Sequence, residues 1–167
     1  MKRTAARLLT ILLCTSLLTG CGKEPLLLNA TDYELDADTD QTSKGISLGD
    51  DSEAFLAAYS EYEILTSVAG NDYQALPVEE IPFSDSIETL LPTFFIDGLP
   101  MTMTQICKDN DIAKEDLLSL LSSADYLQNH TVVYYYLIFT WENGVITDVR
   151  SEYMDYNEDA SYYEELN

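Results

Sequence analysis

The chain has 167 residues, of which 30 are Asp or Glu and 8 are Lys or Arg, so its formal net charge is −22. Binding to a polyanion depends on Lys and Arg that displace its counterions, so this charge argues against nucleic acid as a partner. The length suits about one folded domain, and 46 % hydrophobic residues are enough for a core without disulfide support.

The first predicted element is a signal peptide over residues 1–20. Lys2, Arg3 and Arg7 give it a basic start, and residues 8–18 are almost wholly apolar. A helix of that length rises only ~16 Å, against ~30 Å of bilayer hydrocarbon. We therefore predict the hydrophobic region of a signal peptide and not a membrane-spanning helix.

The apolar run ends in Leu18-Thr19-Gly20-Cys21, which resembles the lipobox of bacterial lipoproteins. In that family the cysteine receives a thioether-linked diacylglycerol, and the signal is cut immediately before it. The resemblance implies cleavage between Gly20 and Cys21 and anchoring through Cys21 at the extracytoplasmic face of the cell membrane. Two acyl chains hold a protein stably on a bilayer where one is marginal. A plain secretory signal with a coincidental cysteine is the alternative.

Removal of the signal would leave a very acidic mature chain. Three of the eight basic residues precede Cys21 and all 30 acidic residues follow it, so five bases would remain and the net charge would be −25. An anionic bilayer would repel such a body, and no basic patch is apparent to help the lipid. We expect partners that are cationic, neutral or bridged by metal ions, although solubility alone also accounts for the charge.

The three cysteines predict no intramolecular disulfide. Cys14 would leave with the signal and Cys21 would be acylated, so Cys107 would remain alone. Cys107 lies in a helical pattern beside Ile106, and we interpret it as a small core residue.

Residues 21–44 are predicted to form the lipidated cysteine and a flexible acidic tether. Apart from Leu26-Leu27-Leu28, the segment is polar and without sustained periodicity. A chain of that composition would hold the domain clear of the lipid headgroups.

A calcium loop is a weaker interpretation of the same segment. Asp36, Asp38 and Asp40 imitate the opening of an EF-hand loop. That loop needs Gly and a bidentate Glu where this chain has Gln41 and Ser47, so the tether is the preferred interpretation.

A single domain is predicted over residues 45–155, followed by an acidic C-terminal tail over residues 156–167. Apolar periodicity and capping residues predict its first elements. In chain order these are a helix that starts at Asp50-Asp51-Ser52-Glu53 with Asp50 as its cap, a strand over 62–66, a turn over 70–72, a short helix over 84–91, a strand over 93–96, a helix from Thr102 to about Lys108, and a helix over 114–122.

The strongest local signal is a β-hairpin at the end of the domain. Residues 132–141 are rich in β-branched and aromatic side chains, Asn143-Gly144 is the preferred dipeptide of a type I′ turn, and residues 145–154 continue the pattern. A two-residue turn pairs Glu142 with Val145. That register places these residues on one face: Tyr135, Leu137, Phe139, Trp141, Ile146, Asp148, Arg150, Glu152 and Met154.

The first strand of this hairpin is apolar on both faces, so we predict that it is central and covered, with the second strand nearer an edge. Tyr135, Leu137, Phe139 and Trp141 are then core residues. If that face were open instead, it would be an aromatic binding surface rimmed by charge. We favour the buried arrangement and keep the open face as the candidate binding site.

These elements predict an α+β fold, an antiparallel sheet with a long C-terminal β-hairpin and short helices packed on it. The run Ile46-Ser47-Leu48-Gly49-Asp50, then a helix, then strands ending in Asn-Gly-Val-Ile, resembles small secreted lipoprotein modules of the outer-membrane-assembly and β-lactamase-inhibitor-protein type. That resemblance implies a protein-binding role.

Two other motifs carry alternative functions. Gly45-Ile46-Ser47-Leu48-Gly49 matches the nucleophile elbow of α/β-hydrolases, but only an acidic segment precedes it and His130 is the one histidine. We interpret Ser47 as a strand residue before a turn and His130 as a rim residue. The helices over 102–121 resemble the centre of the lysin motif, which would imply peptidoglycan binding, but the short strand that should follow them promptly is absent.

The sequence therefore predicts a non-catalytic, lipid-anchored module of the cell envelope that binds an envelope or extracellular protein. No catalytic residue, cofactor or firm metal ligand is identified. A lysin-motif-like peptidoglycan-binding module and an envelope hydrolase remain the alternatives.

Overall fold

The computed structural model describes residues 24–68 and 73–157. Local propensity, capping and long-range pairing together define its elements. In chain order they are α1 (Ser52–Tyr59), β1 (Leu65–Val68), β2 (Ile87–Ile96), β3 (Leu99–Met101), α2 (Met103–Asn110), α3 (Leu117–Leu121), α4 (Ala124–Leu127), β4 (Val132–Glu142) and β5 (Val145–Asp155).

Five strands of the described residues form one antiparallel sheet in the order β1-β2-β4-β5, and β3 pairs with the end of β2 that lies beyond β1. β4 lies between β2 and β5, and β5 is the last strand of the order, as predicted for the two arms of the hairpin. The predicted fold class is confirmed: α+β, with a C-terminal hairpin and short helices.

The hairpin turn has the predicted type I′ geometry, because Asn143 and Gly144 both have positive φ, 53° and 83°. The predicted register holds for Glu142 with Val145 and for Trp141 with Ile146. Beyond these pairs it is wrong by one residue, since a bulge shifts Thr140 onto Asp148.

The bulge reverses the predicted faces of the rest of β5. It inserts one extra residue at Thr147, so Val149 and not Arg150 shares a face with Phe139. Val149 is buried there, whereas Arg150 is turned to the other face beside Thr140. Burial of an apolar Val and solvation of a guanidinium both favour this register.

The predicted helix over 84–91 is wrong, because residues 84–86 lie in a turn and residues 87–91 begin β2. Both faces of β2 are largely buried, so the alternation of apolar and polar residues that indicates a strand is weak in its sequence. Pro92 is tolerated within it because β1 pairs only as far as Leu90 and β3 pairs only from Phe94. A strand loses no ladder hydrogen bond where its proline has no partner strand on that side.

Helix starts follow the capping residues closely. Asp51 accepts from the Ala54 N–H at 3.0 Å and caps α1, one residue later than predicted. Thr102 caps α2 as predicted, accepting from the Gln105 N–H at 3.0 Å. The predicted helix over 114–122 is a 3-10 turn at Lys114–Asp116 followed by α3.

The sheet has a core on each face. On one face, the rings of Phe55 and Trp141 meet edge to face, with centroids 5.2 Å apart. On the other, α2 and α3 cover the end of the sheet that carries Phe94 and Tyr134. Cys107 is buried in this second core, as predicted.

Residues 24–44, which we call the N-terminal strap, pack on the first core. Leu28 and Tyr33 are 3 % and 5 % exposed, and the Tyr59 hydroxyl donates to Thr42 Oγ1 at 2.9 Å. The prediction of a flexible tether is therefore wrong for these residues. Burying an aliphatic or aromatic side chain contributes about 1.5–3 kcal/mol, and this outweighs the polar composition around it.

Several predictions lie wholly or partly outside the described residues. These are the signal peptide, Cys21, the turn over 70–72 and residues 158–167 of the predicted tail. Tyr156 and Asn157 are described: the Tyr156 ring lies 5.1 Å from that of Tyr134, and Asn157 Oδ1 accepts from the Val132 N–H. In the described ranges, none of the helices has the length and apolar character needed to cross a bilayer.

Candidate functional site

The aromatic face proposed from sequence is core and not a binding surface. Leu137, Phe139 and Trp141 are fully buried. Tyr135 is half-buried, and its ring lies 5.2 Å from the ring of Tyr33 in the strap. The buried arrangement is confirmed and the open one is wrong, because α1 and the strap cover this side of the sheet.

The aspartates suggested for calcium form a turn. Asp36 Oδ1 accepts from the Asp38 and Thr39 N–H groups at 3.1 and 3.0 Å and from the Thr39 hydroxyl at 2.8 Å. The hydrogen bond from Thr39 is the main reason that the pKa of Asp36 is lowered. No group of three or more His, Cys, Asp or Glu side chains suited to a metal ion is found within residues 24–68 and 73–157.

Ser47 and His130 lie at opposite ends of the sheet. The Ser47 N–H donates to Asp50 Oδ2 at 2.8 Å, in a loop that is tied to Ile146 next to the hairpin turn. His130 precedes the far end of β4, a strand whose length separates them by ~30 Å. A catalytic triad cannot join them. His130 Nδ1 instead lies 2.7 Å from Asp97 Oδ2 on the rim.

The burial of the Glu63 carboxylate has a structural explanation. Its carboxylate accepts from the Met103 and Thr104 N–H groups at 2.6 and 3.0 Å, at the N-terminus of α2, and Lys114 Nζ lies 3.6 Å away. An anionic oxygen at this position satisfies N–H groups that have no partner inside the helix. This buried carboxylate is a helix cap.

The more distinctive polar cluster lies on the sheet face opposite α1, away from the end that α2 and α3 cover. We call it the Arg150 face, and it comprises Glu88, Thr140, Asp148, Arg150 and Glu152. β2, β4 and β5 each contribute to it, because residues that are paired on adjacent strands lie on the same face of the sheet.

Arg150 is the centre of this face. Its Nη2 lies 2.7 Å from Glu88 Oε1, its Nη1 lies 3.1 Å from Asp148 Oδ2, and its Nε lies 3.1 Å from Glu152 Oε1. Thr140 Oγ1 accepts a further, longer bond from Nη1 at 3.3 Å. All three nitrogens of the guanidinium thus have acceptors within the protein.

Glu88 is the most enclosed carboxylate of the face. Tyr73, 39 % exposed, donates its hydroxyl to Glu88 Oε2 while Arg150 binds Oε1. Partial burial alone would raise the pKa of Glu88, but the hydrogen bonds from Tyr73 and Arg150 outweigh it and the pKa is lowered. Burial, with Glu88 beside it, raises the pKa of Tyr73.

The arrangement favours cations over anions. Three carboxylates surround one guanidinium, so two negative charges remain, and Asp148 and Glu152 are 54 % and 55 % exposed. Four of the five N–H donors of Arg150 are already taken by these acceptors, so it cannot bind an incoming carboxylate or phosphate through two hydrogen bonds without losing one of them. The face presents oxygen acceptors to solvent and suits a basic partner.

Sequence reasoning missed this site for two reasons. Its members come from three strands that are separated in the sequence. The predicted register lacks the bulge and therefore places Arg150 on the wrong face. One signal was available, since Arg150 is the only arginine after Arg7 in a chain with 30 acidic residues.

A scan against protein-family models, a search of curated proteins and a search of solved structures each found no match to this chain.

Proposed function

We propose that the chain is a lipoprotein anchored at the extracytoplasmic face of the cell membrane through diacylglycerol on Cys21, and that its α+β domain is a non-catalytic module that binds a basic segment of another envelope or extracellular protein. The observation that carries the anchoring is the sequence Leu18-Thr19-Gly20-Cys21 after a short basic and apolar leader. The basic start, the length of the apolar run and the lipobox-like sequence all agree with a lipoprotein signal.

The Arg150 face supports the binding role. It is a part of the sheet that the described helices leave uncovered, and it holds two surplus negative charges on exposed carboxylates. Charge complementarity of this kind increases the rate of encounter and selects among partners. The mature net charge of −25, five bases against 30 acids, adds a long-range attraction for a basic partner.

Anchoring is tested by Cys21→Ser, with Cys14→Ser as the matched control because Cys14 lies within the proposed signal. We expect the Cys21→Ser protein to leave the membrane fraction while Cys14→Ser stays in it. Equal membrane retention of both variants would contradict the lipid anchor.

Binding is tested by photo-crosslinking on intact cells from a benzoylphenylalanine placed at Tyr73, beside Glu88. The same probe at Tyr153, which is 56 % exposed on the other side of the sheet, is the control. We expect a discrete adduct from position 73 that is absent from position 153.

The adduct must also depend on the charge of the Arg150 face. Asp148→Asn with Glu152→Gln should abolish it, whereas Glu79→Gln with Glu80→Gln, which changes the net charge equally at exposed positions, should leave it intact. An adduct that both pairs weaken equally would indicate attraction by net charge alone and would refute the proposed face. Hydrolysis of a wall substrate by the purified protein would refute the non-catalytic assignment.

A further inference from the structure

The lysines of the described residues lie near Glu24, the first described residue, and the Glu61–Glu63 segment beside it. Lys108 Nζ lies 3.9 Å from Glu24, and Lys44 Nζ lies 5.1 Å from the centre of the Tyr62 ring. Lys114 contacts Glu63, one residue further along. We call this surface, formed by Glu24, Lys44, Glu61, Tyr62, Lys108 and Lys114, the N-terminal face.

The strap fixes this face to the rest of the domain. The Leu26 N–H donates to the Glu61 carbonyl at 2.8 Å, and Glu24 and Pro25 line a shallow groove together with Ser60, Glu61 and Tyr62. Leu28, two residues after Leu26, is buried in the core. The point at which the chain arrives from the anchor is therefore part of the folded body.

The covalent distance to the anchor is short. Three peptide units separate Cys21 from Glu24, and they can span at most ~11 Å. A lipid on Cys21 would hold the N-terminal face within about this distance of the headgroups. The domain would then lie against the bilayer rather than far above it.

Electrostatics would favour the same orientation. The Debye length at physiological ionic strength is ~8 Å, so only charges next to the surface interact strongly with anionic headgroups. The N-terminal face holds three of the five bases of the mature chain, with the carboxylates of Glu24, Asp32 and Glu63 near them, whereas the mature chain as a whole carries 30 acids. The Arg150 face turned to the bilayer would instead bring two surplus carboxylate charges to it.

We propose that the N-terminal face lies on the lipid headgroups of the membrane, with Lys44 and Lys108 directed at lipid phosphates, and that the hairpin-turn end points away from the bilayer. This inference rests on the proposed lipid anchor. The axis from one end to the other follows α1, which starts beside the Asp51–Val145 bridge near the turn and ends at Tyr59, ~12 Å further on and next to Ser60.

The orientation is measured on the full lipidated protein in vesicles that carry a nitroxide on the lipid headgroup. A fluorophore is attached to Ser60→Cys at the N-terminal face or to Leu48→Cys at the hairpin-turn end, each in a Cys107→Ala background. Both positions are exposed. We expect quenching at position 60 to exceed that at position 48 by at least about two-fold, because nitroxide quenching requires close approach and α1 separates the two ends by ~12 Å.

The role of the lysines is measured in vesicles of phosphatidylcholine mixed with phosphatidylglycerol. Lys44→Gln with Lys108→Gln should reduce quenching at position 60, and the reduction should be smaller in pure phosphatidylcholine or at high salt. Gln74→Glu with Ser86→Glu gives the same net charge at exposed positions away from this face and should change quenching little.

The outcomes separate the two proposals. Equal quenching at both positions, in protein whose acyl mass is verified, would overturn the orientation and leave the lipid anchor in place. Stronger quenching at position 48 would overturn it as well. Protein that lacks acyl groups and does not bind either kind of vesicle would overturn both proposals.

Discussion

At the scale of single residues, the carboxylates of Glu63 and Glu88 are held by specific partners rather than by solvent alone. Glu63 lies in the interior at the start of α2, where two N–H groups, the Thr104 hydroxyl and Lys114 surround its carboxylate. Removing the charge from a group placed in this way leaves helix donors without an anionic acceptor. The capping of α2 therefore depends on a residue 40 positions earlier in the chain.

We predict that Glu63→Gln lowers the free energy of unfolding by about 2 kcal/mol, because one amide oxygen replaces two anionic ones at the helix N-terminus. Urea denaturation of the unlipidated protein measures this. Glu80→Gln, at an exposed site, is the control and should change the free energy by less than about 0.5 kcal/mol. A loss no larger than in the control would show that Glu63 does not act as a cap.

Glu88 predicts a pH dependence of stability. Its pKa is lower in the folded protein than the ordinary 4.5, so its contribution is fully present above pH 4.5 and is lost as the pH falls through the folded pKa. The stability difference between the wild type and Glu88→Gln should therefore be largest near neutral pH and shrink below pH 4.5. Because the side chain is one-third exposed, we expect less than about 1 kcal/mol.

Melting temperatures measured from pH 7 to pH 3 test this behaviour, with Glu142→Gln as the control at an exposed strand end. A difference between wild type and Glu88→Gln that stays constant over that range would contradict a lowered pKa for Glu88.

At the scale of elements, the N-terminal strap has the largest effect on how the molecule is understood. It places Leu28 and Tyr33 in the core of the sheet and makes residues 24–44 part of the fold. A flexible tether would allow the domain to move freely above a membrane, whereas a packed strap fixes the end from which the domain is held.

We predict that Leu28→Ala destabilises the protein by about 2–4 kcal/mol, because it removes buried methyl groups and leaves a cavity. Leu26→Ala is the matched control, since Leu26 is 42 % exposed, and it should cost less than about 1 kcal/mol. Denaturant titration of both variants decides the point. Equal and small losses would mean that the strap is not packed as described.

The elements differ in how far sequence alone predicts them. The β4–β5 hairpin is local, because Asn143-Gly144 and the alternating residues beside it specify the turn without distant help. The sequence of β2 in part predicts a helix, since both faces of the strand are buried and Pro92 interrupts its pattern. The strap depends on a few apolar residues whose partners are far along the chain, so no local period reveals it.

The Arg150 face is least accessible to sequence reasoning. It needs Glu88, Thr140 and Arg150 to meet across three strands, and it needs the bulge at Thr147 to turn Arg150 to the correct side. A bulge adds one residue to one strand and leaves little trace in the pattern of apolar residues. Sequence therefore predicts the two hairpin strands of the site, but neither the strand that carries Glu88 nor the site itself.

At the scale of the whole molecule, charge is unevenly distributed. The lysines of the described ranges all lie on the N-terminal face, while the Arg150 face carries two surplus carboxylate charges. A domain with this charge distribution could lie with the N-terminal face on a membrane and present the Arg150 face to a basic partner. Both proposed roles depend on where the chain is anchored.

Mass spectrometry of the N-terminal peptide, on protein isolated from membranes, tests the anchor most directly. We predict a mature chain that begins at Cys21, and a tryptic peptide Cys21-Gly22-Lys23 that carries the mass of a diacylglyceryl group. Recovery from the cytosol of a chain that still begins at Met1 and carries no acyl group would contradict the account.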